Sequence, residues 1–181
     1  DVNLGVGGGS HGDMTGRMLA ILEKNILERK PDLVLVYGDT NSTLAGALAA
    51  SKLLVPVAHV EAGLRSFNKR MPEEQNRILA DHLSTWLLCP THGAVANLER
   101  EGIVDCPGGA SLSSDTPRVA NVGDVMYDAS LFYREIAASR PEQERPLARL
   151  GLIPPFRLLT LHRAENTDDF RRLSAILNAL E

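Results

Sequence analysis

Two acidic side chains stand directly after apolar segments that have the length of β-strands. Asp39 follows residues 33–37, and Glu61 follows residues 57–60. The carboxyl ends of parallel strands meet at one edge of an open α/β sheet, and ligands bind beyond that edge. Two carboxylates there can exchange protons with a substrate or hold a polar ligand. The spacing therefore predicts a site built around Asp39 and Glu61.

Each of these acids also has an ordinary structural explanation. Asp39 could cap the helix that follows it, although Thr40 could cap that helix equally well. Glu61 leads into a loop rather than a helix, so its ordinary role would be an ion pair with Arg65. If Asp39 and Glu61 are adjacent, each should raise the pKa of the other, which would suit a carboxylate that acts as a base.

A further acid, Glu73, lies at the start of the helix predicted at 73–83. Glu73 and Arg77 are spaced i, i+4 in the order that favours a surface salt bridge, which is their ordinary explanation. The helix follows directly on the Glu61 loop, so its first turn can point at the same crevice. We therefore include Glu73 and Arg77 in the candidate site.

A cationic pair follows the apolar run 157–161, which is predicted to be the first strand of a second α/β unit. His162 could protonate a leaving group or bind phosphate, and Arg163 could bind phosphate. The remaining histidines show no metal-ligand spacing, and His59 could line the site. No metal is predicted.

Strand-like runs alternate with helical patterns along the chain, which predicts βα units and a mainly parallel sheet. The earlier predicted strands are at 33–37, 55–60, 86–89 and 118–122. The predicted helices are at 16–28, 43–54, 73–83, 92–101 and 125–138. Small residues throughout 43–54 would let that helix pack close to the sheet, and Thr91 is expected to cap the fourth helix.

Composition predicts a soluble, cytoplasmic protein. The chain has 181 residues, of which 44% are hydrophobic, and a formal net charge of −4. This charge gives no reason to expect nucleic acid or an anionic membrane as a partner, and no apolar run approaches the roughly 20 residues that cross a bilayer. Because residue 1 is Asp and the helical pattern at 170–181 has no stop signal, we expect a piece of a longer protein.

Gly7, Gly9 and Gly12 have the spacing of the dinucleotide-binding fingerprint. That fingerprint needs a hydrophobic strand before it and an acid about 20 residues after it. Here residues 2–6 are short and broken by a glycine, and Asp39 lies farther along the chain. A flexible turn near a ligand is the favoured interpretation, and an NAD-dependent oxidoreductase is kept as an alternative.

Several sequence blocks together resemble the non-hydrolysing UDP-N-acetylglucosamine 2-epimerases of bacteria and archaea. The blocks lie in the family's order at 36–40 (VYGDT), 59–65 (HVEAGLR), 71–77 (MPEEQNR), 122–129 (VGDVMYDA) and 161–166 (LHRAEN). The resemblance implies two Rossmann-like domains facing each other across a cleft, as in B-type glycosyltransferases, in a homodimer. This chain would be truncated at both ends: residues 1–140 belong to the first domain, 141–155 to the connection and 156–181 to the second domain.

By that resemblance, Asp39, Glu61 and Glu73 match the family's acidic active-site positions, with Arg77 and His162 beside them. The family inverts C2 of UDP-GlcNAc to give UDP-ManNAc for surface polysaccharide, eliminating UDP to 2-acetamidoglucal and adding it back. Carboxylates would move the protons, and His162 and Arg163 would stabilise the leaving group. No cofactor is implied. Which carboxylate serves which face of the sugar is left open.

Other functions fit the same residues. The close alternative is a 2-epimerase of a UDP-2,3-diacetamido-glucuronic acid, because residues 64–68 and 124–129 also occur in that branch of the family. A more remote alternative is an inactive truncated domain that lacks the uridine-binding half.

Overall fold

The computed structural model describes residues 2–107, 112–139, 150–152, 155–162 and 164–180. The chain divides into two compact units, residues 1–130 and residues 131–181. The first unit holds a four-stranded parallel sheet in the order β1-β2-β3-β4. The strands are β1 (Val34–Tyr37), β2 (Val57–Val60), β3 (Trp86–Cys89) and β4 (Arg118–Asn121).

Helices alternate with these strands as the sequence predicts. They are α1 (His11–Arg29), α2 (Asn41–Lys52), α3 (Pro72–Leu83), α4 (His92–Arg100) and α5 (Val125–Ala138). The predicted cap Thr91 is confirmed, because its hydroxyl accepts the amide of Ala94 at 3.1 Å. Pro72 occupies the first turn of α3, where the missing N–H costs nothing.

The hydrophobic core of the first unit forms two clusters, which is the pattern of a sheet covered by helices on both faces. One cluster joins α1, α2 and α3 to the sheet: Ile26, Val36, Ala47, Ala49, Ala50, Val57 and Ala80. The other joins α4 to the sheet: Ala62, Leu87, Cys89, Ala94, Leu98 and Val119. The small residues of α2 allow close packing, since a Cβ on Gly46 would lie only 3.1 Å from Val36.

The strand register brings the carboxyl ends of the strands to one edge of the sheet. Tyr37 lies opposite Val60, Val60 opposite Leu88, and Cys89 opposite Asn121. The segments that follow the strands therefore begin side by side. This register is what places the acids after β1, β2 and β4 at a common edge.

In the second unit, the described residues include the helices α6 (Ala164–Thr167) and α7 (Phe170–Asn178). The amphipathic pattern at 170–181 is confirmed as α7, which Asp169 caps by accepting the amides of Arg171 and Arg172. The strand predicted at 157–161 is wrong, because none of these residues pairs with a strand. An extended run becomes a strand only where a second strand supplies its hydrogen bonds.

The predicted connection at 141–155 lies mostly on residues outside the described ranges, so it stays a prediction. Among the described residues, the helices are either too short or too polar to cross a membrane.

Candidate functional site

Asp39 lies in the turn between β1 and α2, and its carboxylate forms an ion pair with Arg77 from α3. Its backbone carbonyl accepts the side-chain amide of Asn76 at 2.9 Å. The residue at the N-cap of α2 is Thr40, so the alternative that Asp39 caps this helix is wrong. The Asp39 side chain is 33% exposed, and it remains accessible to a ligand while held on one side by Arg77.

Glu61 lies in the turn that follows β2, beside the Asp39 turn. Its backbone has φ +72°, in the left-handed region that residues other than glycine rarely adopt. The amides of Glu61 and Ala62 both donate to the carbonyl of Leu88, at 3.1 and 3.2 Å, which holds this conformation. A carboxylate oxygen of Glu61 lies 3.7 Å from the point where a Cβ of Gly38 would be. The amide of Gly38 donates to the carbonyl of Val60, the residue before Glu61, at 3.1 Å, so the two turns lie side by side at the sheet edge.

The surroundings of Glu61 raise the pKa of its carboxyl group. The largest cause is partial burial, followed by the negative charges of Asp124 and Asp39; the positive charges of His59 and Arg77 oppose the rise. The expectation that Asp39 raises the pKa of Glu61 is thus confirmed. A carboxylate with a raised pKa binds a proton more readily, which suits a base that must accept one from carbon.

Asp124 is a neighbour that the sequence analysis did not place in the site. It lies three residues beyond β4, and its carboxylate accepts the amides of Met126 and Tyr127 at the start of α5. The sequence contains the pattern that would have identified Asp124, because this acid follows a strand of the sheet, as Asp39 and Glu61 do.

Arg77 does not form the predicted surface pair with Glu73. It pairs instead with Asp39 and, at 3.5 Å, with Glu74. The reason is geometric: Arg77 lies on the face of α3 that turns toward β1, and it is largely buried, whereas Glu73 is exposed. Among the residues that the structure describes, Glu73 forms no ion pair, so its carboxylate stays available.

Glu74 shapes the loop between Glu61 and α3. Its carboxylate is almost fully buried and accepts the amides of Ser66 and Phe67 at 2.8 and 2.9 Å and the Ser66 hydroxyl at 2.9 Å. Burial by itself would raise the pKa of Glu74, but these hydrogen bonds and the charge of Arg77 lower it. The sequence signal was the helical spacing of Glu74, Arg77 and Asp81, a polar stripe on the inner face of α3.

Arg65 does not pair with Glu61, so that alternative is wrong. Its guanidinium donates to Asp81 at 2.7 Å and to both carboxylate oxygens of Glu101 at 2.7 Å. Burial by itself would lower the pKa of Arg65, but the bonds to Glu101 and Asp81 raise it above its ordinary value. Among the described residues, the Glu61 carboxylate forms no ion pair.

His59 is fully buried beneath the two turns and does not line the site. His162 is exposed and belongs to the second unit, where its carbonyl accepts the side chain of Asn166 at 3.1 Å. Arg163 lies outside the described residues. The roles given to His162 and Arg163 stay predictions.

The glycine fingerprint lacks the structure that dinucleotide binding needs. Residues 2–6 do not form a strand, and α1 begins after Gly9 with Ser10 as its N-cap. Arg17 closes this segment by donating to the carbonyl of Gly8 at 2.8 Å. The oxidoreductase alternative therefore has no structural support among the described residues.

No group of three His, Cys, Asp or Glu side chains within the described ranges is placed to hold a metal ion. Cys89 is buried, which raises the pKa of its thiol to about 12. The carboxylates at the sheet edge, with Arg77 as a nearby cation, can carry out proton transfer.

Comparison with known sequences identifies the family. The family model described as UDP-N-acetylglucosamine 2-epimerase matches residues 1–181. A UDP-2,3-diacetamido-2,3-dideoxy-D-glucuronate 2-epimerase of Pseudomonas aeruginosa is 55% identical over 180 residues, covering 99% of this chain and 46% of that protein. A UDP-N-acetylglucosamine 2-epimerase of Methanococcus maripaludis is 47% identical over 180 residues, with the same two coverages.

Comparison with solved structures gives the same result. The UDP-GlcNAc 2-epimerase of Methanocaldococcus jannaschii, solved in complex with UDP-GlcNAc and UDP, is similar with a TM-score of 0.83 and 46% identity, covering 99% of this chain and 46% of that chain. The predicted α/β class, related to B-type glycosyltransferases, is confirmed. The chain spans about half the length of the curated relatives it matches. Since the family model matches all of residues 1–181, the chain belongs to the UDP-N-acetylglucosamine 2-epimerase family.

Proposed function

We propose that the full-length protein inverts C2 of UDP-GlcNAc to give UDP-ManNAc, without a cofactor. The observation that carries this proposal is the placement of the Asp39 and Glu61 turns side by side, with a raised pKa at Glu61. Family membership supports it, and so does the similar protein of Methanocaldococcus jannaschii that binds UDP-GlcNAc and UDP.

In the proposed reaction, a carboxylate removes the proton from C2, and the electrons of that C–H bond form a C1=C2 double bond while the C1–O bond to UDP breaks. UDP then adds back to 2-acetamidoglucal as a proton is delivered to the other face of C2. Asp39, Glu61 and Glu73 are the proposed proton carriers. Arg77 holds Asp39 in place. His162 and Arg163 are proposed to stabilise the departing pyrophosphate.

A second substrate is favoured by a specific observation: the Pseudomonas aeruginosa relative that is 55% identical is a UDP-2,3-diacetamido-2,3-dideoxy-D-glucuronate 2-epimerase. The two sugar nucleotides share the C2 acetamido group and the UDP leaving group, so one catalytic edge could serve either. The two sugars differ at C3 and C6, so the protein side chains that contact those two positions would decide which nucleotide is the substrate.

Product analysis of the full-length protein tests this proposal. We expect incubation in D₂O with UDP-GlcNAc, and separately with the diacetamido-glucuronate nucleotide, to give the C2 epimer of one of them, with deuterium at C2 detected by NMR. Epimer formation without deuterium would contradict proton exchange at C2. Failure to epimerise either nucleotide would overturn the proposed function.

The pH dependence of kcat/KM should report the ionisation of Glu61. If Glu61 acts as a base, it must be ionised, and its raised pKa moves the acid limb of the kcat/KM profile to higher pH. Asp124→Asn removes one of the charges that raise this pKa, but keeps an oxygen that can accept the amides of Met126 and Tyr127. We therefore expect the acid limb to move to lower pH in Asp124→Asn. An unchanged limb would show that Glu61 does not control it.

A homodimer and a cytoplasmic location complete the proposal. The homodimer is implied by the family resemblance, and the location by the composition. Mass measurement of the full-length protein in solution tests the dimer, and fractionation of cells tests the location.

A further inference from the structure

A row of four hydrogen-bonded side chains, His59, Asp81, Arg65 and Glu101, lies beneath the Asp39 and Glu61 turns and is not used by the proposed mechanism. His59, Asp81 and Arg65 are almost completely buried, and Glu101 is 29% exposed at the outer end. Asp81 lies at the centre of this row. One of its carboxylate oxygens lies 2.6 Å from the His59 ring, and the other lies 2.7 Å from the Arg65 guanidinium.

Asp81 connects to the Asp39 turn through His59. The second ring nitrogen of His59 lies 2.7 Å from the backbone carbonyl of Gly38, the residue before Asp39. A carbonyl can only accept, so this nitrogen donates, and an ionised Asp81 requires the other nitrogen to donate as well. The Arg65 guanidinium lies between the carboxylates of Asp81 and Glu101, which lowers the cost of burying these charges.

Asp81 connects to the Glu61 turn directly. The oxygen that accepts from Arg65 also accepts the amide of Gly63 at 3.1 Å. The amides of Glu61 and Ala62 are held by Leu88, so the Asp81 bond fixes the next residue along the turn. Glu61 has φ +72°, a backbone conformation that costs a residue other than glycine about 1–2 kcal/mol. The bonds to Leu88 and Asp81 hold the turn in this conformation.

We propose that Asp81 is a positioning residue that holds the Asp39 and Glu61 carboxylates at their working separation. This inference rests on the proposed function, since it assigns a role to Asp81 in the same reaction. Asp81 is 1% exposed and cannot touch a substrate. It acts by joining the two turns that carry the acids.

Removal of the Asp81 charge should therefore affect turnover more than binding. In Asp81→Asn a single oxygen replaces the two that accept from His59, Gly63 and Arg65, so at least one of these donors loses its partner. A shift of about 1 Å in a catalytic group can lower the rate by about 100-fold. The family resemblance assigns the uridine to the half of the protein beyond this chain, so we expect KM to change little.

The test compares Asp81→Asn with Asp105→Asn in the full-length protein. Asp105 is a matched control, because its carboxylate also accepts a backbone amide, that of Val119 at 2.9 Å, and pairs with Arg118 at 3.3 Å, at the amino end of β4. We expect Asp81→Asn to lower kcat by about 100-fold with KM changed less than threefold. Asp105→Asn should keep kcat within about twofold.

A second measurement does not depend on activity. Amide hydrogen exchange of residues 61–63 should be at least about tenfold faster in Asp81→Asn, and unchanged in Asp105→Asn. Equal kcat in the two variants, or a loss confined to KM, would overturn the inference. If Asp81→Asn does not fold, His59→Gln decides, because it removes the ring that links Asp81 to the Gly38 carbonyl and keeps the bond from Asp81 to the Gly63 amide. A fall in kcat of about tenfold supports the inference, and an unchanged kcat overturns it.

The proposed function and this inference can fail separately. A wild-type protein that epimerises neither sugar nucleotide would overturn the function, and the exchange of residues 61–63 would still show whether Asp81 holds the turn. An active wild-type protein with an unaffected Asp81→Asn variant would overturn the inference alone.

Discussion

Glu61→Gln is expected to lower kcat of the full-length protein by about 1,000-fold or more while leaving the fold intact. Glutamine has nearly the same shape as glutamate, and the backbone bonds to Leu88 that hold the turn do not involve the side chain. The amide cannot accept a proton from C2, and loss of a general acid or base typically costs 10²–10⁴-fold, or about 10³ here. Asp39→Asn should have a comparable effect, since it removes the neighbouring carboxylate and its pair with Arg77.

The measurement is steady-state epimerisation, with thermal unfolding as a check on the fold. Glu23→Gln is a matched control, because Glu23 is an exposed carboxylate on α1 outside the site, and this variant should keep its activity. Near-normal turnover in both Glu61→Gln and Asp39→Asn would contradict the assignment of the site.

Glu61→Gly separates chemistry from stability at the same position. Glycine adopts φ +72° without strain, so this variant should unfold at an equal or higher temperature than the wild type although it lacks the carboxylate. Such a result would show that glutamate is kept at a strained position for its chemistry. A clear loss of stability would point instead to a structural role for the side chain.

Gly63→Ala is expected to destabilise the first unit by about 2–5 kcal/mol. Gly63 has φ +78°, which costs an alanine about 1–2 kcal/mol. A Cβ at this position would also lie 2.8 Å from the carbonyl carbon of Ala94 and 3.1 Å from Leu98, both in α4. Relieving this overlap would push α4 from the sheet or distort the Glu61 turn, at a further cost of about 1–3 kcal/mol.

Chemical denaturation of the full-length protein measures this effect. Gly16→Ala is the control, since Gly16 lies within α1, and a Cβ there would meet nothing within 4 Å. That variant should be more stable than the wild type by about 0.5–1 kcal/mol, because alanine favours the helix. Equal stability of the two variants would contradict the close approach of Gly63 to α4.

The elements of the first unit were predictable because their signals are local. Alternating apolar runs and helical patterns predicted the four strands of the sheet and the helices α1 to α5, although α1 begins at His11, five residues before its predicted start. Thr91 was correctly expected to cap α4. The run at 157–161 shows the limit of this reasoning. Its composition suits a strand, but strand formation depends on a partner, and composition does not provide one.

The partners of long side chains were not predictable in the same way. Arg77 could reach Glu73 or Glu74 on its own helix or Asp39 on another element, and the fold selects the last two. Arg65 likewise bonds Asp81 and Glu101, which are far from it in sequence. Such choices follow from which face of a helix is buried, and a buried charge takes whichever partner the packing brings within reach.

By itself, the sequence determined that acids end the strands of a parallel sheet, and that Asp39 and Glu61 lie at one edge. This follows because strand direction and side-chain periodicity are local properties of the chain. Only the tertiary structure decided that Glu61 forms no ion pair within the part of the chain that the structure describes, that Arg77 holds Asp39, and that Asp81 joins the two turns. These decisions depend on distances between segments far apart in the chain, and those distances are set when the sheet and helices pack.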